Sequence, residues 1–324
     1  MTTPIDAAVA TLRAGGLVAF PTETVYGLGA DASNAAAVRR LFAVKGRPPD
    51  HPVIAHVGDA SRLDDYAIDV PDVARRLAAE LWPGPLTLVV RRRPATIVDE
   101  VTGGRATVGL RVPDHPVALE LLRAFGGAVA APSANRFGRV SPTTAAHVRD
   151  DLGDDVDVVL DGGPCAVGVE STIVDCTAAP VRVLRVGGVT RSVVERVAGG
   201  PVVLATSGEV AASGTLEQHY APRASVELVA PSDVAARARA LASTGARVAV
   251  LGLVGDVASV TRVDDAVCLL EPARDVDEYA HVLYERLRRA DSWGADVVVA
   301  VAPDDRGIGA AVCDRLRRAA AAAR

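Results

Sequence analysis

The sequence is short of aromatic residues, cysteine and long apolar runs, and each shortage excludes a class of protein. Aromatic residues make up 3% of the 324 residues although 49% are hydrophobic, so Ala, Val and Leu must form most of the core. The four cysteines form no CxxC pair. We therefore expect them to be small buried hydrophobic residues in a reducing cytoplasm, rather than a disulfide framework or a metal site.

Signals for membranes and secretion are also lacking, and so is a large positive charge. No stretch reaches the ~18 uninterrupted apolar residues of a membrane-spanning helix. The first residues, MTTPIDAAVATLRAGG, lack the basic region and apolar run of a secretory signal. The net charge of −5 and the pI near 5.7 argue against a broad electrostatic grip on nucleic acid, although they are compatible with a local basic pocket. We predict a cytoplasmic protein without membrane contact.

Lysine is nearly absent, which makes the single lysine informative. Lys45 stands against 34 arginines and lies in the segment FAVKGRPPDHPVIAH, close to Arg47, His51 and His56. An ammonium group is a compact charge with three rotatable donors, whereas a guanidinium group is a planar fork. We interpret Lys45 as a loop residue whose ammonium approaches phosphate or carboxylate oxygens. The alternative is the chance survival of one lysine.

The length of the chain suggests two domains, because one core rarely grows to this size. Residues 1–200 contain many strands with interspersed helices, which predicts an α/β domain with a twisted mixed sheet. Residues 201–232 are rich in Gly, Ser, Ala and Pro, and we interpret them as a linker that acts as a lid. Residues 233–324 follow a strand–helix–strand–helix pattern, which predicts a small parallel α/β domain of Rossmann-like type.

The segment PTETVYGLG combines hydroxyl groups with glycine at the end of a predicted strand. Strand alternation places Thr22 and Thr24 on one face and Glu23 on the other. Small hydroxyls beside glycine suit a small polar ligand, although an ordinary strand–turn explains them as well. The string GLGADA matches a dinucleotide-binding fingerprint, but a basic loop, KGRPPD, stands where that fingerprint needs an acidic strand end, so we reject it.

A second polar line lies in the segment ATVGLRV. A period of two places Thr107, Gly109 and Arg111 on one face of a strand. A threonine, a gap and an arginine along one line suit a carboxylate or a phosphate, because arginine binds both in a fork. The alternative is a solvated strand face.

Other polar residues follow the ends of predicted strands, a common ligand location in α/β sheets. They are Ser133, Asn135, Ser141, Thr143, Ser171, Thr172 and Arg185. Turn chemistry is the alternative for each. His51 and His56 lack the helical spacing expected of metal ligands, so we predict no metal site. Neither a Ser/His/Asp signature of covalent catalysis nor a GxxxxGK[ST] phosphate loop is present.

Six segments together resemble the YrdC-like family. They are PTETVYGLG, the KxR of KGRP, WPGPLTL, the SAN of APSAN, GVESTIVD and VLRVG, and the HYAP of the linker resembles the longer, two-domain members. The resemblance implies an enzyme that condenses L-threonine, bicarbonate and ATP into L-threonylcarbamoyl-AMP and diphosphate, with Mg²⁺ bridging phosphates. It also implies that a separate transferase complex uses the product to modify a tRNA adenosine, with at most a weak direct contact to tRNA.

The same resemblance implies roles for individual residues. The L-threonine positions are Thr24, His56, Arg111, Ala131 (through its backbone) and Ser171, with Arg111 forking onto the carboxylate. The ATP positions are Arg47, His51, Thr107, Ser133, Asn135, Ser141, Arg185 and Tyr220. Lys45 and Arg47 are the catalytic pair, which would offset the charge of the attacking group and of the leaving diphosphate.

Two departures from the family and two other functions are compatible with the sequence. His51 stands where members usually carry asparagine, and the linker lacks an SPGM-like run, so the ATP contact and the lid are open to change. One alternative function is an RNA-binding module of the same fold, which the negative charge and few aromatic residues disfavour. The other is an activity on a different carbamoylated substrate, which the lack of zinc-type cysteine clusters disfavours.

Overall fold

The computed structural model describes residues 3–205, 220–260 and 266–322. The chain divides into two compact units. The first comprises Met1–Phe137 and Ser141–Thr215, and the second comprises Gly138–Val140 and Leu216–Arg324. Within the described residues, no helix combines the length and the apolar character needed to cross a membrane.

The first unit alternates helices and short strands. Its helices are α1 (Pro4–Arg13), α2 (Ala35–Lys45), α3 (Leu63–Tyr66), α4 (Asp72–Leu81), α5 (Asp99–Thr102), α6 (Pro116–Phe125), α7 (Ala145–Leu152) and α8 (Arg191–Ala198). Its strands are β1 (Val18–Phe20), β2 (Gly27–Asp31), β3 (Ile54–His56), β4 (Leu86–Arg91), β5 (Thr107–Arg111), β6 (Val129–Ala130), β7 (Val158–Val159), β8 (Thr172–Asp175), β9 (Arg182–Arg185) and β10 (Val203–Leu204).

These ten strands form one mixed sheet in the order β10-β9-β8-β4-β5-β3-β6-β2-β1-β7. Strand β3 runs parallel to β5, and β4 runs parallel to β8. Strands β4 and β5 are antiparallel, as are β8 and β9. The prediction of a mixed rather than a purely parallel sheet is confirmed.

The two faces of this sheet differ. One face carries residues such as Leu88 and Leu110 and packs on α2, α4 and α8 in the main core. The opposite face is covered at β1 and β6 by α1 and α6, which pack on each other. Beyond them, Ile54, Ile173 and Leu184 form a small apolar cluster to which no described helix of this unit contributes. We call the part of the sheet around these three residues the open face.

Helix ends fix two of the site segments. The side chain of Asn34 accepts hydrogen bonds from Ala36 N and Ala37 N and so caps the start of α2. Gly46 adopts a left-handed conformation with φ 65° and ends the helix directly after Lys45. Lys45 therefore belongs to the last turn of a helix, and the prediction of a loop lysine is wrong.

The second unit is a parallel α/β sheet, as predicted, but it has four strands rather than two. Its strands are β11 (Ser225–Leu228), β12 (Val248–Leu251), β13 (Val267–Leu269) and β14 (Val297–Ala300), and its helices are α9 (Val234–Ala242), α10 (Val254–Val257), α11 (Val276–Trp293) and α12 (Gly309–Ala321). The sheet order is β11-β14-β12-β13, with every pair parallel.

Strand β11 lies inside the segment that the sequence assigned to the linker. Each of its residues, from Ser225 to Leu228, pairs with a residue of β14. The second unit therefore begins before residue 233. Residues 206–219 of the predicted lid lie outside the described residues.

Candidate functional site

The connection between β1 and β2 is a polar turn at the centre of the site. Thr22 Oγ1 accepts hydrogen bonds from Thr24 N and Val25 N, both at 3.2 Å, and donates to Val25 O at 2.6 Å. A side-chain hydroxyl that bonds its own backbone in this way folds the chain into a turn. Residues 21–26 are therefore not a strand, and the predicted placement of Glu23 on the face opposite Thr24 is wrong.

Arg111, the last residue of β5, is contacted by this turn. Its Nη2 donates to Thr24 Oγ1 at 2.9 Å and lies 2.8 Å from Glu23 Oε1. Its Nε donates to Gly84 O at 3.4 Å. Arg111 and Glu23 are both buried, with 5% and 7% of their side chains exposed. The sequence analysis gave Glu23 no role. Its position as the one acidic residue between two threonines was the feature that could have indicated a role.

His56 lies beside Arg111 on the neighbouring strand. The two residues are directly paired between β3 and β5, so their side chains emerge from the same face of the sheet. Burial, and then the positive charge of Arg111, lowers the pKa of His56 to about 3. The imidazole is therefore neutral at physiological pH, and its ring meets that of Phe20 edge to face at a centroid distance of 6.0 Å.

Ser171 directly precedes β8 and contacts residues of β4 and β9, at the same end of the sheet as Arg111. Its Oγ shares a hydrogen bond of 2.8 Å with Thr87 Oγ1 of β4. Nη2 of Arg185, the last residue of β9, donates to Ser171 O at 2.8 Å and to Ser171 Oγ at 3.0 Å. The structure thus brings two predicted residues, Ser171 and Arg185, into direct contact. Thr87 was missed, because it reads as an ordinary residue of the predicted strand LTLVVR.

Thr107, Gly109 and Arg111 share one face of β5, as predicted. The first two are partly exposed and Arg111 is buried, while the residues between them are buried on the core side. A Cβ atom at Gly109 would lie 3.3 Å from Thr87 Cγ2, closer than most side-chain contacts. Glycine therefore leaves bare backbone between the threonine and the arginine on the open face.

The backbone of Ala131 has one group left for a ligand. Ala131 N donates to Ile54 O at 2.9 Å, which uses its amide hydrogen within the sheet. A ligand contact through this residue would thus be made by its carbonyl oxygen.

Lys45 is a buried cation that holds the SAN loop. Only 3% of the residue is exposed, and its Nζ donates to the carbonyl oxygens of Ser133 and Asn135. The loop is held a second time because Phe137 N donates to Lys45 O at 2.7 Å. Burial, and then the charge of Arg47, lowers the pKa of Lys45 well below its ordinary value. An ammonium group has three N–H donors, so one donor remains beyond these two carbonyls.

Arg47 and His51 lie around one aromatic ring. Arg47 Nη2 donates to Pro52 O at 2.9 Å, and its Cζ lies 5.7 Å from the centre of the Phe137 ring. The ring of His51 meets Phe137 edge to face at 6.1 Å. Burial, followed by the charge of Arg47, lowers the pKa of His51. Phe137 was not among the predicted residues, because nothing in the sequence separates it from a packing residue.

Ser141 contacts a buried acid that was also not predicted. Ser141 Oγ donates to Glu170 Oε1 at 2.7 Å, and both residues are buried. The two loops that carry them are held by the central turn, since Tyr26 N donates to Pro142 O and Val167 N donates to Glu23 O. The turn thus connects the segments that carry Arg111, Ser141 and Glu170.

Tyr220 belongs to the second unit, unlike the other predicted residues. Its ring stacks on Tyr284 at a centroid distance of 5.8 Å, and Cζ of Arg315 lies 4.9 Å from its centre. The residue is buried and has a positive φ of 63°. The structure thus shows Tyr220 as a packed residue of the second unit.

The chemistry of the site is one of charge and hydrogen bonding. Among the described residues there is no group of three or more His, Cys, Asp or Glu side chains placed to hold a metal ion. Burial raises the pKa of the Cys165 and Cys176 thiols to about 12, which leaves neither as a reactive thiolate. Both are buried free cysteines, as predicted, and so is Cys313, whereas Cys268 is partly exposed.

Comparisons with known proteins cover both units. A profile of the Sua5–YciO–YrdC family, described as Telomere recombination, matches residues 10–187. A second profile, described as Threonylcarbamoyl-AMP synthase, C-terminal domain, matches residues 189–321.

Individual relatives match over nearly the whole chain. The threonylcarbamoyl-AMP synthase of Pyrococcus abyssi is 40% identical, covering 97% of this chain and 93% of the relative. That of Bacillus subtilis is 40% identical, covering 98% and 92%. The crystal structure of P. abyssi Sua5 complexed with L-threonine superposes with a TM-score of 0.90 at 38% identity, covering 98% of this chain and 94% of that one.

Proposed function

The chain belongs to the family of threonylcarbamoyl-AMP synthases, which are enzymes of the nucleotidyltransferase type, and we propose that it condenses L-threonine, bicarbonate and ATP into L-threonylcarbamoyl-AMP and diphosphate. The observation that carries this proposal is the set of three buried arginines in the first unit, Arg47, Arg111 and Arg185. It occurs in a chain that is 38% identical, over nearly its full length, to a protein solved with L-threonine.

The proposed threonine site is formed by Thr24, His56, Arg111, Ser171 and the carbonyl of Ala131. Arg111 Nε donates a hydrogen bond to Gly84 O, and Arg111 Nη2 donates one to Thr24 Oγ1. Nη1 is therefore the nitrogen that remains for a carboxylate. The contact is then made through one nitrogen instead of the fork expected from the sequence. A neutral His56 adds a hydrogen-bonding group without a second positive charge.

The proposed ATP site is formed by residues from four segments of the first unit, and the role of Tyr220 as an ATP contact stays a prediction from the family resemblance. The first-unit residues are Arg47, His51, Thr107, Ser133, Asn135, Ser141 and Arg185. Lys45 organises this site by holding the backbone of Ser133 and Asn135. We assign Mg²⁺ to the phosphates of ATP, which makes it part of the substrate rather than a resident ion.

The proposed chemistry needs no covalent enzyme intermediate. The α-ammonium group of threonine releases a proton to solvent, and the resulting amine takes up bicarbonate to give a carbamate and water. A carbamate oxygen then attacks the α-phosphorus while diphosphate leaves. Arg47 and the protonated form of Lys45 offset the negative charge that develops on the attacking and leaving groups. The phosphates of bound ATP favour this protonated form, against the burial that lowers the pKa of Lys45. Because Lys45 and Arg47 are both buried, their charges act in a medium that screens them less than water does.

The wider role follows from the chemistry of the product. A mixed anhydride of a carbamate and AMP is an activated acyl donor, and we propose that a tRNA threonylcarbamoyl transferase complex consumes it in the cytoplasm. We further propose that residues 1–200 carry catalysis, that the linker closes over ATP, and that the second domain anchors the linker. Direct contact with tRNA is at most weak, in keeping with the net charge of −5.

The decisive experiment measures diphosphate release and identifies the product by mass spectrometry. We expect release only when ATP, bicarbonate and L-threonine are all present, and a product mass equal to that of threonylcarbamoyl-AMP. Arg39→Ala is a matched control, because it removes an exposed cation on α2. Diphosphate release that is independent of threonine or bicarbonate would contradict the proposal.

A further inference from the structure

Buried polar atoms without hydrogen-bond partners gather beside Arg111. Among the described residues, Glu23 Oε1 and His56 Nδ1 are both buried and accept or donate no hydrogen bond. Glu23 Oε1 lies 2.8 Å from Arg111 Nη2, but this ion pair lacks the direction of a hydrogen bond. The described residues also supply no acceptor for Arg111 Nη1. Because buried polar groups nearly always have partners, this unused capacity indicates a ligand.

The unused groups carry opposite charges at adjacent positions. Arg111 offers N–H donors with a positive charge, and Glu23 offers an acceptor with a negative charge. An α-amino acid carries an ammonium and a carboxylate on the same carbon atom, which is the complementary arrangement. We propose that Glu23 binds the α-ammonium group of the amino-acid substrate while Arg111 Nη1 binds its carboxylate. This inference rests on the proposed function, since it takes L-threonine as the substrate.

Glu23 is held firmly enough to select a ligand by charge. Its second carboxylate oxygen, Oε2, accepts from Asp114 N at 3.1 Å. Its backbone carbonyl accepts from Val167 N at 2.7 Å. The turn bonds of Thr22 fix the residues on its C-terminal side. A carboxylate fixed in this way keeps its orientation when the ligand leaves, so it is preorganised for the ammonium group.

The balance of charge also favours a zwitterion. Arg111 and Glu23 together have no net charge, and the neighbouring His56 is neutral at physiological pH. A zwitterionic ligand adds no net charge to this buried place, whereas a simple carboxylic acid would leave one negative charge in excess. Burying an uncompensated charge is costly, so the site discriminates against ligands without an amine.

A purely structural role for Glu23 predicts a different outcome. If Glu23 only oriented Arg111, its loss would weaken every ligand that has a carboxylate. If Glu23 binds the ammonium group, its loss weakens only ligands that have an amine. A ligand pair that differs in this one group therefore separates the two roles.

The experiment measures the binding of L-threonine and of the matching 2,3-dihydroxybutanoate, in which a hydroxyl replaces the amine, by calorimetry. Wild type should prefer threonine by on the order of 10- to 100-fold, the typical effect of a charge-assisted hydrogen bond. In Glu23→Gln the preference should fall to within about threefold, because threonine binds more weakly while the hydroxy acid, whose carboxylate Arg111 alone then balances, binds more tightly. Glu120→Gln, which removes an exposed carboxylate on α6, should keep the wild-type preference.

Every remaining outcome overturns either this inference or the proposed function, and the two cases can be told apart. Equal weakening of both ligands in Glu23→Gln overturns the ammonium contact, as does full retention of the preference. Thermal melting shows whether Glu23→Gln folds. If it does not fold, the wild type alone tests the inference, because a wild-type protein that binds threonine and the hydroxy acid equally well overturns the ammonium contact. Threonine binding with the expected preference but without diphosphate release would instead overturn the proposed function and leave this inference standing.

Discussion

The two units bury polar side chains in different amounts and for different purposes. Of the buried polar or charged side chains among the described residues, 17 lie in the first unit and two, Arg286 and Arg315, in the second. Arg286 has two carboxylate partners, Glu271 and Glu285, and Arg315 has Asp314. In the first unit the buried pair Arg111–Glu23 lies beside His56 Nδ1, a buried atom without a hydrogen-bond partner.

The two units therefore use their buried polar side chains differently. A buried arginine with a carboxylate partner, such as Arg286 or Arg111, is a completed ion pair. A buried polar atom without a hydrogen-bond partner, such as His56 Nδ1, lowers stability until a ligand completes it. The second sheet is parallel, with apolar strands such as Val248–Leu251 buried throughout. In the first sheet, Thr87, Thr107 and Arg111 lie on the face opposite the main core. The first unit therefore accommodates chemistry at the expense of stability.

Lys45→Ala should give the largest effect. Diphosphate release should fall by roughly 10³-fold or more, because a charge that acts on the transition state is lost and the SAN loop loses its holder. Stability should fall by about 1–3 kcal/mol, because two buried carbonyls lose their donor. Turnover assays and thermal denaturation measure the two effects.

Lys45→Arg tests the same residue more sharply. A planar guanidinium cannot occupy the place where a compact ammonium meets two carbonyls, so this variant should also be poor. Arg39→Ala, on an exposed part of the same helix, should behave as wild type. Near wild-type turnover of Lys45→Arg would show that the identity of the cation is unimportant.

Arg111→Ala should weaken threonine binding by on the order of 10- to 100-fold, with little effect on the requirement for ATP. It should also lower stability by about 3–5 kcal/mol, because it leaves the Glu23 carboxylate buried without its cation. Adding Glu23→Gln should recover part of that stability, since an amide carries no charge. Equal effects on both substrates would move Arg111 out of the threonine site.

The sequence predicted those parts of the site that depend on local pattern. The strand LTLVVR coincides with β4, and the alternation of Thr107, Gly109 and Arg111 is confirmed because a regular strand has a fixed period. Local pattern failed for Glu23, since a hydroxyl–backbone bond at Thr22 turned an apparent strand end into a turn.

Long-range contacts account for the other errors. Lys45 is buried because it meets carbonyls of Ser133 and Asn135, about 90 residues later in the chain. Strand β11 is a strand because it pairs with β14, about 70 residues away. Neither pairing leaves a trace in the segment itself, so each reads locally as a loop or a linker.

The stability of the first unit should fall in acid because of His56. Its pKa is about 3 in the folded protein, against about 6.5 in an unfolded chain. The unfolded state therefore binds the proton first, so this contribution is complete above pH 6.5 and is lost as the pH falls towards 3. By pH 5 the loss should be about 2 kcal/mol. Urea unfolding at pH 7 and pH 5 would show a smaller change in His56→Asn, and an equal change would contradict a buried neutral histidine.

Tyr220, in the second unit, offers the smallest test. Tyr220→Leu should lower stability by about 1–2 kcal/mol, because it removes the stacking on Tyr284 and the contact with Arg315. Tyr220→Phe keeps the ring and should stay within about 0.5 kcal/mol of wild type. Chemical denaturation measures both, and ATP titration separates packing from ligand contact. If Tyr220→Phe weakens ATP binding at unchanged stability, the hydroxyl contacts the nucleotide as proposed. If Tyr220→Leu leaves stability unchanged, the second unit does not depend on this packing, and the contrast between the two units is weaker than the structure indicates.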